Sequence, residues 1–149
     1  MPEIRSAPLA VICAQAAPGA LDRLIAPGYD AVVCRTAPDE ILVFCPPEVA
    51  EDVLREVTNR LPALDEHGLV LDLTDGWHAW TLVGPDAREG FSAVSALALP
   101  GGDGFTQGHV AQVSAKILTA ADDVTIIVPA YWSQHLRERL VADAAGAGS

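Results

Sequence analysis

The chain repeats itself. Pro38–Leu61 and Ala121–Ala144 align when Asp39 is set on Asp122, an offset of 122 − 39 = 83. At that offset Asp39-Glu40 meets Asp122-Asp123, Ile41, Val43, Phe44 and Cys45 meet Val124, Ile126, Ile127 and Val128, and Pro46 meets Pro129. The helices that follow share an apolar stripe, with Val49, Val53, Val57 and Leu61 set on Trp132, Leu136, Leu140 and Ala144. A spacing of four keeps side chains on one helical face, as burial against a sheet requires. A weaker echo sets Ala17-Pro18-Gly19-Ala20 on Gly84-Pro85-Asp86-Ala87, each ahead of a helical segment. Each half reads β-α-β-(β)-α, the split β-α-β order of a ferredoxin-like unit. The expected fold class is therefore α+β: two ferredoxin-like β-α-β-type halves related by internal duplication, with helices packed on antiparallel sheets.

Local signals give the order of elements. Residues 9–15 read as a strand and 18–25 as a short helix. Residues 31–36 and 40–45 form a hairpin across Ala37-Pro38-Asp39, and the first long helix runs over 48–61, where Pro62 stops it. Residues 65–68 are the linker between halves, so the halves are expected at 1–64 and 65–149, joined in one compact unit. Residues 69–73 and 78–83 are strand-like, and the helix from Pro85 to Val94 suits a proline in its first turn with Asp86 beside the positive helix end. Residues 99–108, with Pro100-Gly101-Gly102-Asp103-Gly104, read as an irregular loop. A second hairpin joins 111–118 to 124–128, a last helix covers 133–143, and the Gly-rich tail frays after about 143. Two hairpins under helices argue against a doubly wound parallel sheet.

Composition removes whole classes of function. Nine basic residues against twenty acidic ones leave a net charge of −11, and nucleic-acid binding needs a basic footprint. No apolar run reaches the roughly 18 residues that span a bilayer. Residues 9–17 are apolar but short, preceded only by Arg5, and run into a Pro-Gly turn, so they read as a strand and the chain as cytoplasmic. Cys13, Cys34 and Cys45 are odd in number, without a C-x-x-C pair or a histidine at zinc spacing. Each falls in an apolar strand, where a free thiol behaves as a small hydrophobe.

Catalytic motifs are absent: there is no G-x-S-x-G, P-loop or H-E-x-x-H. Asp72 and Asp75 with His109 would make an acid–base pair if the fold joined them, but nothing in their spacing requires it. Aromatic residues are few and grouped. Trp132 continues the apolar stripe of its helix and is expected in the core. Trp77 and Tyr131, residue types that dominate interface energetics, are the candidate anchors of a partner surface, joined by Phe105, Gln107 and His109 in and beside the glycine loop.

Several blocks together resemble the γ subunit of heterotetrameric sarcosine oxidase. They are Ala-Pro-Asp-Glu-Ile-Leu-Val at 37–43, Val-Leu-Asp-Leu-Thr-Asp at 70–75, Gly84-Pro85-Asp86-Ala87, Gly-His-Val-Ala-Gln at 108–112, and Val128-Pro129 with the helix over 131–140. They follow that family's order from about Val32 to Asp143. The Gly-Pro-Asp-Ala block also occurs in the glycine-cleavage T-protein, the folate-dependent aminomethyltransferase. The resemblance implies a small, non-catalytic accessory subunit that binds no cofactor itself. It would serve large and small flavoprotein subunits of a hetero-oligomeric amine oxidase or demethylase, with flavin, NAD and tetrahydrofolate in those partners. The transferase family carries an acidic pair on a strand that here reads Val-Ser-Ala-Lys-Ile-Leu-Thr at 113–119, without a carboxylate until Asp122. The other readings are a stand-alone folate-binding aminomethyltransferase-like protein and a ferredoxin-like dimerisation or regulatory module.

Overall fold

The computed structural model describes residues 2–24 and 30–144. The expectations for Ile25 at a helix end and for the tail beyond residue 144 lie outside them. The chain divides into two compact units: Pro8–Thr74, and a discontinuous unit of Met1–Ala7 with Asp75–Ser149. The first strand, β1 (Glu3–Ala7), belongs to the discontinuous unit.

Pro8–Thr74 contains β2 (Ala10–Gln15), α1 (Pro18–Arg23), β3 (Val32–Ala37), β4 (Glu40–Cys45), α2 (Ala50–Leu64) and β5 (Leu69–Asp72). Its sheet is antiparallel throughout, in the order β3-β4-β2-β5. Val53, Val57 and Leu61 of α2 pack with Ile12, Ile41, Val43 and Leu21. Burying each such side chain stabilises the fold by about 1.5–3 kcal/mol relative to leaving it in water. The alternate residues Val11, Cys13, Leu42 and Phe44 are buried as well. That is why β2 and β4 read as unbroken apolar runs rather than alternating ones.

The discontinuous unit contains β1, β6 (Trp77–Val83), α3 (Ala87–Ser92), β7 (Gly104–Val110), β8 (Val113–Ala120), β9 (Asp123–Pro129) and α4 (Ser133–Arg139), which ends in a wider π turn at Leu140–Ala144. Its antiparallel sheet has the order β1-β6-β9-β8-β7. Leu136, Leu140 and Ala144 pack with Phe91, Leu82, Ile117 and Ile126.

The duplication holds element by element. Adding 83 to the first residues of β4, of the 3-10 turn at Pro47–Val49 and of α2 gives 123, 130 and 133, the first residues of β9, the turn at Ala130–Trp132 and α4. The one slip in register has a local cause. Val32 faces Phe44, while the residue facing Ile127 is Lys116, an offset of 84, because a bulge between Arg35 and Ala37 adds a residue to β3. Numbering each unit's strands by role, β2, β3, β4 and β5 match β6, β8, β9 and β1. The four matched strands then have the order 4-1-3-2 in both sheets, and β7, without a counterpart, adds a fifth strand to the second.

Four expectations are corrected. The division at 64/65 is replaced by breaks at 7/8 and 74/75, because β5 pairs with β2 and returns to the first sheet. Nothing before residue 9 was expected as a strand, yet β1 pairs with β6 and fills the fourth-strand place in the second sheet. Pro62 lies inside α2, not beyond it; the carbonyl its missing N–H leaves free belongs to Thr58, an exposed residue that water reaches. The loop expected at 99–108 is half strand, since β7 pairs over its full length with β8. Gly108 eases this: a Cβ there would lie 2.6 Å from Leu97 Cδ2, so a larger residue would make that side chain move.

Candidate partner interface at an exposed aromatic corner

The start of α4 carries side chains that the core does not absorb. The 3-10 turn leaves Tyr131 81% exposed and Trp132 42% exposed. Trp132, expected in the core, instead lies partly at the surface; the equivalent Val49 ends the matching 3-10 turn and packs against its own core, so the difference lies in the side chain and not in the turn. Its ring contacts Tyr131 at 5.7 Å and His135 edge-on at 5.6 Å. Behind this trio stands a fixed layer. Trp80 Nε1 donates to the carbonyl and the hydroxyl of Ser133, each at 3.1 Å, and so ties β6 to the first turn of α4. His78 packs at 5.0 Å on one side of Trp80, and the Arg137 guanidinium stands 5.7 Å from its ring centroid.

The duplicate copy is an internal control. At 131 − 83, 132 − 83 and 135 − 83 stand Glu48, Val49 and Asp52, two carboxylates and one aliphatic group. The fold is therefore built equally well without aromatic rings at this corner. No carboxylate occurs from Val124 to Arg137, in a chain with twenty of them. An exposed, uncharged aromatic surface on an otherwise acidic chain has the composition of a protein-binding patch.

The five residues expected at a partner surface are distributed as follows. Tyr131 lies on the corner. Trp77 opens β6, half-buried and paired with Pro129, two residues before Tyr131. Phe105, Gln107 and His109 alternate along one face of β7, the sheet edge, paired with Leu118, Lys116 and Ser114. Gln107 accepts a hydrogen bond from Lys116 Nζ at 2.6 Å. Three strand spacings, about 14 Å, separate β6 from β7, so these residues form two patches rather than one. Trp132 and His135, missed from sequence, complete the corner; their signal was the contrast with Val49 and Asp52 at the same offset.

The corner holds no catalytic arrangement. Asp72 accepts the Thr74 N–H at 3.0 Å in a turn, and His109 lies on β7, three strands from the one that Asp75 precedes, so the acid–base pair does not form. Asp122 is exposed in the β8–β9 turn. Burial pushes the thiol of Cys13 up to about 11 and that of Cys34 up to about 12, and raises Cys45 as well, which removes thiolate nucleophiles. Among the described residues no group of His, Cys, Asp and Glu is placed to hold a metal ion. Nor does any buried side-chain nitrogen or oxygen among them lack a hydrogen-bond partner.

No family model and no curated protein matches the chain. Solved structures do. A chain of the heterotetrameric sarcosine oxidase from Corynebacterium sp. U-96 superposes with a TM-score of 0.80 at 19% identity, covering 97% of this chain and 84% of that one. The glycine cleavage system aminomethyltransferase T from Bartonella henselae gives 0.66 at 15% identity, covering 95% of this chain but 45% of its own. The regulatory subunit of aspartate kinase from Thermus thermophilus gives 0.55 at 16% identity, covering 94% and 96%. At such identities the likeness is one of fold, and it fits two repeated α+β halves.

Proposed function

We propose that this chain is a non-catalytic accessory subunit of a hetero-oligomeric, flavin-dependent amine oxidase or demethylase of sarcosine-oxidase type. In this reading the aromatic corner docks on a larger subunit, and flavin, nicotinamide and tetrahydrofolate chemistry resides in the partner chains. The observation that carries it is the corner itself: Tyr131 and Trp132 stand exposed, with a half-buried His135 against Trp132, in one copy of a duplicated fold whose other copy does without these rings. The superposition on a chain from a heterotetrameric oxidase, covering 97% of this chain and 84% of that one, supports a hetero-oligomeric setting. The strand at 113–119 lacks the acidic pair of the transferases, and this chain spans under half of the aminomethyltransferase, which argues against one-carbon transfer by this chain alone.

Tagged chain recovered from its native host is expected to bring down flavin-containing partners. Tyr131→Ala with Trp132→Ala should release them, with a loss of about 2 kcal/mol or more in binding. Tetrahydrofolate-dependent turnover of sarcosine or dimethylglycine by the isolated chain would overturn the reading. A second reading, a regulatory module, draws on the aspartate kinase regulatory subunit, matched over nearly all of both chains. It requires a small effector that raises the melting temperature of the isolated chain, which the accessory-subunit reading does not.

A further inference from the structure

A second surface lies in Pro8–Thr74. β5 ends its sheet, so among the described residues one side of its backbone has no neighbouring strand. Val70 turns inward and packs on the α2 core, while Leu69 and Leu71 face the other way and are 48% and 40% exposed. Edge strands in natural proteins are usually blunted by charge. The matching edge of the other unit follows that rule: β1 carries Glu3 and Arg5, ion-paired at 2.8 Å. β5 follows it less, since its one charge is Asp72 at the far end and Leu69-Val70-Leu71 before it is an unbroken apolar run.

The surroundings of this edge are acidic. Residues 65–72 hold Asp65, Glu66 and Asp72 without a Lys or Arg, and Pro8–Thr74 as a whole has eleven Asp and Glu against four Arg. At the start of β5 opens a cleft of about 470 Å³ whose walls include Asp39, Asp65, His67 and Leu69. Asp65 accepts the backbone N–H groups of Ala17 at 2.8 Å and His67 at 2.9 Å. Those two bonds hold its carboxyl below the usual range, so it keeps its charge at neutral pH.

We propose that the β5 edge accepts an extended, basic segment of a partner protein as an added strand, with apolar side chains on Leu69 and Leu71 and a Lys or Arg in the Asp39–Asp65 cleft. Main-chain hydrogen bonds along the edge supply affinity, and the alternation of the side chains supplies selectivity. A second copy of this chain is disfavoured, because pairing β5 with itself brings two sets of Asp65, Glu66 and Asp72 together.

The test titrates the full chain with a labelled peptide of about eight residues alternating Lys and Val, beside a control with Glu in place of Lys. The Lys peptide is expected to bind and to slow amide exchange in β5. Leu71→Lys, at an exposed position, should weaken binding by about tenfold or more, and Asp39→Asn should reduce its salt dependence. Leu69→Lys repeats the test should Leu71→Lys lower the melting temperature. No binding, equal binding of the Glu peptide, unchanged affinity in both Lys variants, or self-association through β5 would each overturn the proposal. None of these outcomes touches the aromatic corner, which is read through Trp132→Ala.

Discussion

Cys13, Cys34 and Cys45 lie on β2, β3 and β4, each at most 2% exposed. Burial raises all three thiols, with Asp72, Glu48 and Glu40 adding repulsion at Cys45 and Cys13. A thiol whose value is raised on folding holds its proton longer in the native chain than in the unfolded one. Its contribution to stability is therefore complete below the unfolded value near 9 and is lost as pH climbs towards 11 and 12. Stability measured by urea unfolding should fall between pH 9 and 12, and Cys34→Ala should flatten that fall. A thiol reagent at pH 8 should label none of the three until the chain unfolds. Rapid labelling of native protein would show that a strand opens at low cost.

Elements in the two copies share a stripe but not a surface. Leu136 of α4 and Leu140 of the π turn that follows are buried, as Val53 and Val57 of α2 are, whereas Trp132 just ahead of α4 is 42% exposed. Leu136→Ala is expected to destabilise the fold by about 2–5 kcal/mol through transfer and cavity terms. Tyr131→Ala should change it by about 0.5 kcal/mol or less, and Trp132→Ala by only slightly more. Thermal unfolding of the three variants checks this. A large drop for Tyr131→Ala would mean that the corner carries the fold rather than a partner.

At the scale of the whole molecule, Pro8–Thr74 is inserted between β1 and β6 of a discontinuous unit. The chain closes that unit where its two ends meet. A Cβ on Gly90 would lie 2.9 Å from Pro2 Cγ and 3.1 Å from the Ala144 carbonyl oxygen, so the start of β1 and the end of the last helix both press on that glycine. A permuted chain that begins at Pro8 and carries residues 2–7 after residue 144, through a short glycine linker, should therefore fold. Its circular dichroism should match the parent, with a melting temperature within about 5 °C. Deleting residues 2–7 outright should leave exchange protection in β2 and β4 and lose it in β6. Uniform loss across both units would show that they unfold as one.

The sequence by itself determined what depends on local periodicity: the two-fold repeat at 83, the paired hairpins, the buried stripes of α2 and α4, the inert thiols. Side chains spaced by two or four choose their face before any distant contact forms. Pairing between distant strands was decided only in three dimensions. β1 is short and polar, and its place beside β6 follows from the open fourth-strand position that the repeat leaves in the second sheet. β5 looked like the opening of the second half because it follows a linker; hydrogen bonds to β2, more than fifty residues earlier, assign it to the first. Phe105–Gly108 read as loop because glycines lower strand propensity, yet Gly108 leaves room for the Leu97 side chain against β7. The candidate site divides the same way. Tyr131 was legible as an unplaced aromatic, but Trp132 sits on a periodic stripe whose equivalent Val49 packs on its core, and only the tertiary structure leaves its ring partly exposed against Tyr131 and His135.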